Sequence, residues 1–378
     1  MKIPAFYTLH QTSYILLLAS SFFFLPSTVF GQNAIDYSKS FVESSKSWIE
    51  VDYVGDGIIG HKLDIFLPKE GKGPFPVIIN IYGSAFFSNS SKGVIFQSGL
   101  GQSLLKAGYA VVSINHRSSK DAIWPAQIQD VKAAIRFVRA NASTFSLSPG
   151  FMGITGFSSG GHLSASAGTS NFKKSVKINE KSVDLEGSVG KFLDTPSNVD
   201  AVVDWFGPTE FLSMDACGSS MKHDDPKSPE SSLIGSPIQD NKDLANLANP
   251  MSFVNPHSAP FLIFHGDKDP LVPFCQSEKL HAQLKLQGIP SEYVMVPGGG
   301  HGPGVMIDLY YAQMIKFFDA QRAKRSLLVI DGKIALDQNV NQVSPEKIAT
   351  MNVWKGEKAL EKYGKAGEFG VVELVLKK

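Results

Sequence analysis

Phe151-Met152-Gly153-Ile154-Thr155-Gly156-Phe157-Ser158-Ser159-Gly160-Gly161 carries the strongest structural signal in the chain. The run Phe151–Thr155 reads as a strand, the next five residues as a sharp turn, and a helical segment opens at Gly161. A serine at the centre of a G-x-S-x-G turn in this context is held in a strained backbone conformation, and its small neighbours let strand and helix approach closely. Ser158 is therefore the candidate nucleophile, and the backbone N–H of Ser159 points at the place where negative charge would develop. The hydroxyl of Ser159 is the competing one, but it falls one place past the centre of the motif.

Working outward, short apolar runs alternate with helical segments from Trp48 to about Arg325. Leu63–Leu67 alternates with period two and stops at Pro68, as a half-buried strand does. Val77–Tyr82 and Ala110–Ile114 are nearly continuous apolar runs, which suits strands covered on both faces. Between Ala126 and Ala140 the residues Ile128, Val131, Ile135 and Val138 recur at helical spacing. Further strand-like runs stand at Ala201–Phe206, Pro260–His265 and Glu292–Val296. Strand-then-helix alternation implies an α/β fold: a mostly parallel central sheet with helices on both faces, and chemistry at the carboxyl ends of the strands. Two stretches break the rhythm. Asn171 to about Asn198 is a polar insertion. Met214 to about His257 is rich in Pro, Ser, Asp and Asn and is expected to shape a substrate pocket.

A serine needs a base to take its proton. Of the nine histidines, His301 is best placed, in Pro297-Gly298-Gly299-Gly300-His301-Gly302 directly after a strand. A glycine-rich loop there can fold back over the sheet and deliver an imidazole. His265 and His162 read as structural. The base needs an acid to fix its tautomer, and His265-Gly266-Asp267-Lys268-Asp269-Pro270 offers both Asp267 and Asp269; Asp267 also suits a turn-capping role. After the strand Val77–Tyr82 come Gly83-Ser84-Ala85-Phe86, whose small side chains leave the N–H groups of Ser84 and Ala85 open to a substrate oxygen. Each such donor is worth about 3 kcal/mol of transition-state stabilisation. The residue types alone leave open which of the two donates.

With these motifs in view, residues 48–325 resemble the bacterial bifunctional feruloyl and acetyl-xylan esterases of the α/β-hydrolase class. The likeness is carried by Tyr82–Phe86, by Trp124-Pro125-Ala126-Gln127-Ile128-Gln129-Asp130-Val131-Lys132-Ala133-Ala134, by Gly156–His162 and by Asp204-Trp205-Phe206-Gly207-Pro208-Thr209. It continues in Ser228-Pro229-Glu230-Ser231-Ser232-Leu233-Ile234-Gly235, in His265–Pro273 and in the loop at His301. Departures are Tyr82 where many esterases have histidine, and Ser84-Ala85 in place of two glycines. The resemblance implies Asp269 as the acid, giving the chain order Ser158, Asp269, His301. It implies hydrolysis of a small ester or acylated oligosaccharide, with acetyl or hydroxycinnamoyl groups on plant polysaccharide as the expected substrates. No metal or organic cofactor is expected, and His223-Asp224-Asp225 alone is too weak a ligand set. Two rival readings are a prolyl-oligopeptidase-like serine peptidase, which would call for a propeller-sized domain before Trp48, and a non-catalytic binding protein that retains the fold.

The 378 residues are 43% apolar and 19% charged with a net charge of +1, which excludes a disordered or collagen-like chain and offers no basic footprint for nucleic acid. Residues 1–31 read as a signal peptide: Lys2 and His10 precede the apolar run Tyr14–Leu25, then Pro26 and a cleavage site at Val29-Phe30-Gly31 before Gln32. Export to the periplasm, the outer membrane or the medium is expected. There the two cysteines, Cys217 and Cys275, would stand either bridged or as free buried thiols. Residues 326–378 read as a separate α+β piece: a strand and turn at Ser326–Lys333, a helix start at Ser344-Pro345-Glu346, a helical Ala359–Gly364 and an apolar Gly370–Val375. This tail looks like the plug segment of TonB-dependent receptors, which would give it an envelope protein as partner.

Overall fold

The computed structural model describes residues 42–324, 326–335, 340, 343–355, 357–367 and 370–377; the expected signal peptide lies outside them. In chain order the strands of residues 42–324 are β1 (Lys46–Asp52), β2 (Lys62–Leu67), β3 (Phe75–Ile81), β4 (Ala110–Ile114), β5 (Leu147–Phe157), β6 (Ser175–Ile178), β7 (Lys181–Asp184), β8 (Ala201–Trp205), β9 (Phe261–Gly266) and β10 (Ser291–Val296). Eight of them form one sheet in the order β1-β2-β4-β3-β5-β8-β9-β10. β1 and β2, and β2 and β4, pair antiparallel; from β4 to β10 all neighbours are parallel. The register aligns Ile81 with Gly156 and Gly156 with Asp204, so the loops leaving β3, β5 and β8 emerge side by side at the carboxyl edge.

The helices are α1 (Val94–Gln97), α2 (Leu100–Lys106), α3 (Ala126–Ala140), α4 (Ser159–Thr169), α5 (Pro229–Ile234), α6 (Lys242–Ala248), α7 (Cys275–Leu286) and α8 (Asp308–Ala323). Successive strand residues face opposite sides, and this separates the two helix layers. Gly153 faces α8, where an added Cβ would meet Phe318 at 2.7 Å. Its neighbour Ile154 pairs with Val202, and Val202 packs on Gly168 of α4. The two strands read as covered on both faces are so: Val77 and Ile79 on one face of β3 and Ile78 on the other, and Val112 on one face of β4 and Val111 on the other, are fully buried, each contributing about 1.5–3 kcal/mol.

Two expectations are corrected. β2 is buried from Leu63 to Leu67 rather than half-buried. Its polar position, Asp64, faces a buried partner and not solvent: Lys92 Nζ lies 3.5 Å away, and Glu50 donates its backbone N–H at 2.7 Å. Ser344 precedes Pro345 as read, but the segment after it makes only one 3-10 turn, Pro345–Lys347, to which the Ser344 side chain adds no capping bond. The polar insertion 171–198 holds the β6–β7 hairpin, and the longer one holds α5 and α6. Cys217 and Cys275 are disulfide-bonded. The tail forms a second sheet, β12-β11-β14-β13, from β11 (Leu327–Ile330), β12 (Lys333–Ile334), β13 (Ile348–Trp354) and β14 (Val371–Leu376), with α9 (Glu357–Tyr363) between the last two. Its small core joins Val329, Ala359 and Val371.

Candidate active site

Ser158 sits between β5 and α4 with φ 56° and ψ −125°, a left-handed backbone that a side chain adopts only under constraint. The constraint is packing. A Cβ on Gly156 would lie 2.3 Å from the Gly160 carbonyl oxygen, and one on Gly160 would lie 2.2 Å from that of Ile81. Glycine at both places is what lets helix and strand close on the serine. The Ser158 N–H is anchored on the Trp205 carbonyl at 2.9 Å.

The loops after β9 and β10 are pressed together and bring the acid to the base. Lys268 donates its N–H to the Gly299 carbonyl at 2.9 Å, and Gly298 donates to Asp267 Oδ1 at 2.6 Å. Asp267 is thus the turn-capping carboxylate. Asp269 Oδ2 lies 2.7 Å from His301 Nδ1, and His301 Nε2 lies 2.9 Å from Ser158 Oγ. A carboxylate only accepts, so Nδ1 is the donor and Nε2 of the neutral ring is left to accept the serine proton. Asp269 Oδ1 accepts from the N–H groups of Leu271 at 2.9 Å and Val272 at 3.0 Å. Burial alone would raise the Asp269 pKa, but hydrogen bonds and charge from His265 and His301 outweigh it and hold the carboxyl well below its usual range.

The loop after β3 lies directly on the serine: a Cβ on Gly83 would be 2.8 Å from Ser158 Cβ. Ser84 donates its N–H to Ser159 Oγ at 2.8 Å, so that amide is already committed. Ala85, at φ 50°, follows it; among the described residues its N–H meets no backbone acceptor, and neither does that of Ser159 at the open end of α4. Ser159 therefore brings two groups here, its amide and a hydroxyl that occupies the neighbouring one.

Other residues border the site. His265 is fully buried, with Nδ1 2.7 Å from Ser277 Oγ and Nε2 2.8 Å from the Val272 carbonyl; Nε2 is also 3.4 Å from Asp269 Oδ2. His162 is locked on the Pro208 carbonyl at 2.8 Å, and burial pushes its pKa down to about 4. Phe206 escapes sequence reasoning as a site residue, yet its ring lies 4.7 Å from that of His301; its place at the end of β8 is the signal that could have found it. Among the described residues no group of three or more His, Cys, Asp or Glu is disposed to hold a metal ion.

A family model described as BD-FAE matches residues 63–284. "Esterase LipQ" of Mycobacterium tuberculosis is 30% identical over 227 residues, 60% of this chain and 50% of that protein. "Esterase LipC" of the same organism is 29% identical over 242 residues, 61% of this chain and 53% of that one. The chain spans about half the length of these curated relatives. A solved structure described as a truncated form of a carbohydrate esterase from gut microbiota is 49% identical, with a TM-score of 0.71, covering 74% of this chain and 97% of that one. Another, a bifunctional GH43-CE protein of Bacteroides eggerthii, is 48% identical with a TM-score of 0.69, covering 73% of this chain and 38% of that one. With the match covering more than half of its length and the expected α/β-hydrolase fold beneath it, the chain belongs to the BD-FAE family.

Proposed function

We propose that this chain is a serine esterase in which Ser158 is the nucleophile, His301 the base and Asp269 the acid. The observation that carries the reading is the hydrogen-bonded series Ser158–His301–Asp269, at 2.9 and 2.7 Å, at the carboxyl edge of a parallel sheet. Ser158 Oγ attacks the ester carbonyl as its proton passes to His301 Nε2. The oxyanion is held by the N–H groups of Ser159 and Ala85, since the Ser84 amide serves Ser159 Oγ. The tetrahedral adduct collapses, His301 gives its proton to the leaving alkoxide, and an acyl-Ser158 ester remains. Water, deprotonated by His301, attacks this ester; collapse releases the acid and returns the proton to Ser158.

Acetyl or feruloyl esters of plant polysaccharide are the proposed substrates. The family and the carbohydrate esterases among the similar structures support that choice. We further propose export, which a disulfide between Cys217 and Cys275 suits, and a plug-like tail that docks on an envelope protein. The insertion Met214–His257 is the proposed pocket wall: Leu233 and Leu247 offer carbonyls to the N–H and the indole of Trp124, at 2.8 and 2.9 Å. The deciding experiment is hydrolysis of p-nitrophenyl acetate, acetylated xylan and methyl ferulate by the native protein and Ser158→Ala. Loss of turnover by about 10³-fold or more is expected in the variant, and full activity there would overturn the assignment.

A further inference from the structure

The insertion between β8 and β9 is fastened to the segment that follows Asp269. Besides the Cys217–Cys275 bond, Ser220 donates its N–H to the Pro270 carbonyl at 2.8 Å, and Ser219 Oγ donates to the Leu271 carbonyl at 2.6 Å. His223 Nε2 lies 2.9 Å from that same Leu271 oxygen, while its Nδ1 lies 2.9 Å from Glu230 Oε2. The two side chains are 2% and 3% exposed. A buried pair of this kind is tolerated only when its hydrogen bonds are made. A carbonyl and a carboxylate both accept, so the ring that satisfies both is the imidazolium, with an N–H at each nitrogen. A ring neutral at Nε2 would give up the Leu271 bond and accept instead from the Ser219 hydroxyl 3.0 Å away.

Leu271 connects this ring to the site. Its carbonyl accepts from His223, and its N–H donates to Asp269 Oδ1 at 2.9 Å. One residue of backbone therefore separates the buried imidazolium from the carboxylate that orients His301. We propose that His223 and Glu230 are positioning residues for Asp269, the charged ring clamping Leu271 so that the carboxylate is held facing His301. This inference rests on the esterase reading above.

The groups that face the ring are few. Glu230 reaches it from α5, the Ser219 hydroxyl lies 3.0 Å from Nε2, Asp215 accepts the His223 backbone N–H at 2.7 Å from the preceding turn, and the loop after β9 presents the Leu271 carbonyl. Burial opposes protonation of His223, but the hydrogen bonds to Glu230 and Leu271 and the negative charges of Glu230 and Asp215 outweigh it, holding its pKa above the usual histidine value. The clamp is then closed below that raised value and opens as pH rises through it. A serine–histidine–aspartate series by itself gains activity as its base loses a proton and then levels off. An alkaline decline is therefore the clamp's own signature.

The test is kcat and KM for p-nitrophenyl acetate from about pH 6 to about pH 10, corrected for spontaneous hydrolysis, in native protein, His223→Gln, Glu230→Gln and Ser158→Ala. The native profile should rise, then fall on the alkaline side. Glu230→Gln should bring that fall to lower pH, because the ring loses the carboxylate that keeps it charged. His223→Gln, whose amide does not titrate, should lose the alkaline fall and lower kcat by about tenfold with KM little changed. A purely structural pair would lower the melting temperature and leave the alkaline limb where it was. A native profile flat to the alkaline end, or variants with an unmoved limb, would overturn the proposal. Should His223→Gln fail to fold, Glu230→Gln, which keeps the shape of the side chain, decides alone. Activity retained by Ser158→Ala would bring down the esterase reading as well; an inactive Ser158→Ala beside an unmoved limb brings down only the clamp.

Discussion

Asp204 is buried at a cost to the fold. It lies near the end of β8 against the first turn of α4, fully buried, and accepts the Gly207 N–H at 3.0 Å through Oδ1. Its Oδ2 has no hydrogen-bond partner among the described residues. Burial pushes the carboxyl up to about 7, opposed only in part by the His265 charge and the Gly207 bond. In the unfolded chain the same group ionises near its ordinary value of 3.8. Between these values the unfolded state has released a proton that the folded state still holds, so stability falls as pH rises through the window and levels off above it. The loss approaches about 4 kcal/mol at the upper end. Asp204→Asn removes the titration, so its stability relative to native should grow between about pH 4 and about pH 7. Urea unfolding of both proteins at the two ends of the window measures this; a difference that stays constant would refute it.

At the scale of elements, the strands that carry the site were legible because each is an apolar run with a turn behind it, and α3 because its apolar residues keep helical spacing. What escaped was decided by partners distant in sequence. β2 looked half-solvated because Asp64 interrupts its apolar run, and only the fold brings Lys92 to that carboxylate. The β6–β7 hairpin is two four-residue strands, mostly exposed, whose three apolar residues, Val176, Ile178 and Val183, are too few to mark it. Ser84 and Ala85 looked equivalent until folding carried the Ser159 hydroxyl to the Ser84 amide. The cysteines were likewise undecided, since their pairing depends on how the insertion returns to the loop before α7. That bridge spans a sequence separation of 58 residues, for which loop-closure entropy gives a stabilisation of about 4 kcal/mol. Cys217→Ser combined with Cys275→Ser should lower the urea midpoint accordingly, and dithiothreitol should bring the native protein to the same midpoint. Unchanged unfolding in both would show that the bridge adds no stability.

At the scale of the whole molecule, the tail's strands pair only with one another: the main sheet ends with β10, and every ladder bond of the tail's sheet lies within residues 327–376. The residues of the candidate site all lie between Gly83 and His301. α8, in contrast, belongs to the main core, since Met314 and Phe318 are fully buried and Phe318 fills the space that Gly153 leaves open. No helix among the described residues is long and apolar enough to cross a membrane. A chain ending after α8 should therefore keep the fold and hydrolyse p-nitrophenyl acetate with kcat/KM within about twofold of the full-length value. A chain ending before α8 should expose the β5 face and fail to fold. The carbohydrate esterase structure that is 97% covered while matching 74% of this chain is consistent with a core of that extent. Thermal melts and kcat/KM of the two truncations decide the matter. If the longer one melts normally but has lost activity, the tail takes part in the site; if it keeps activity, the tail's role must be sought in binding and not in hydrolysis.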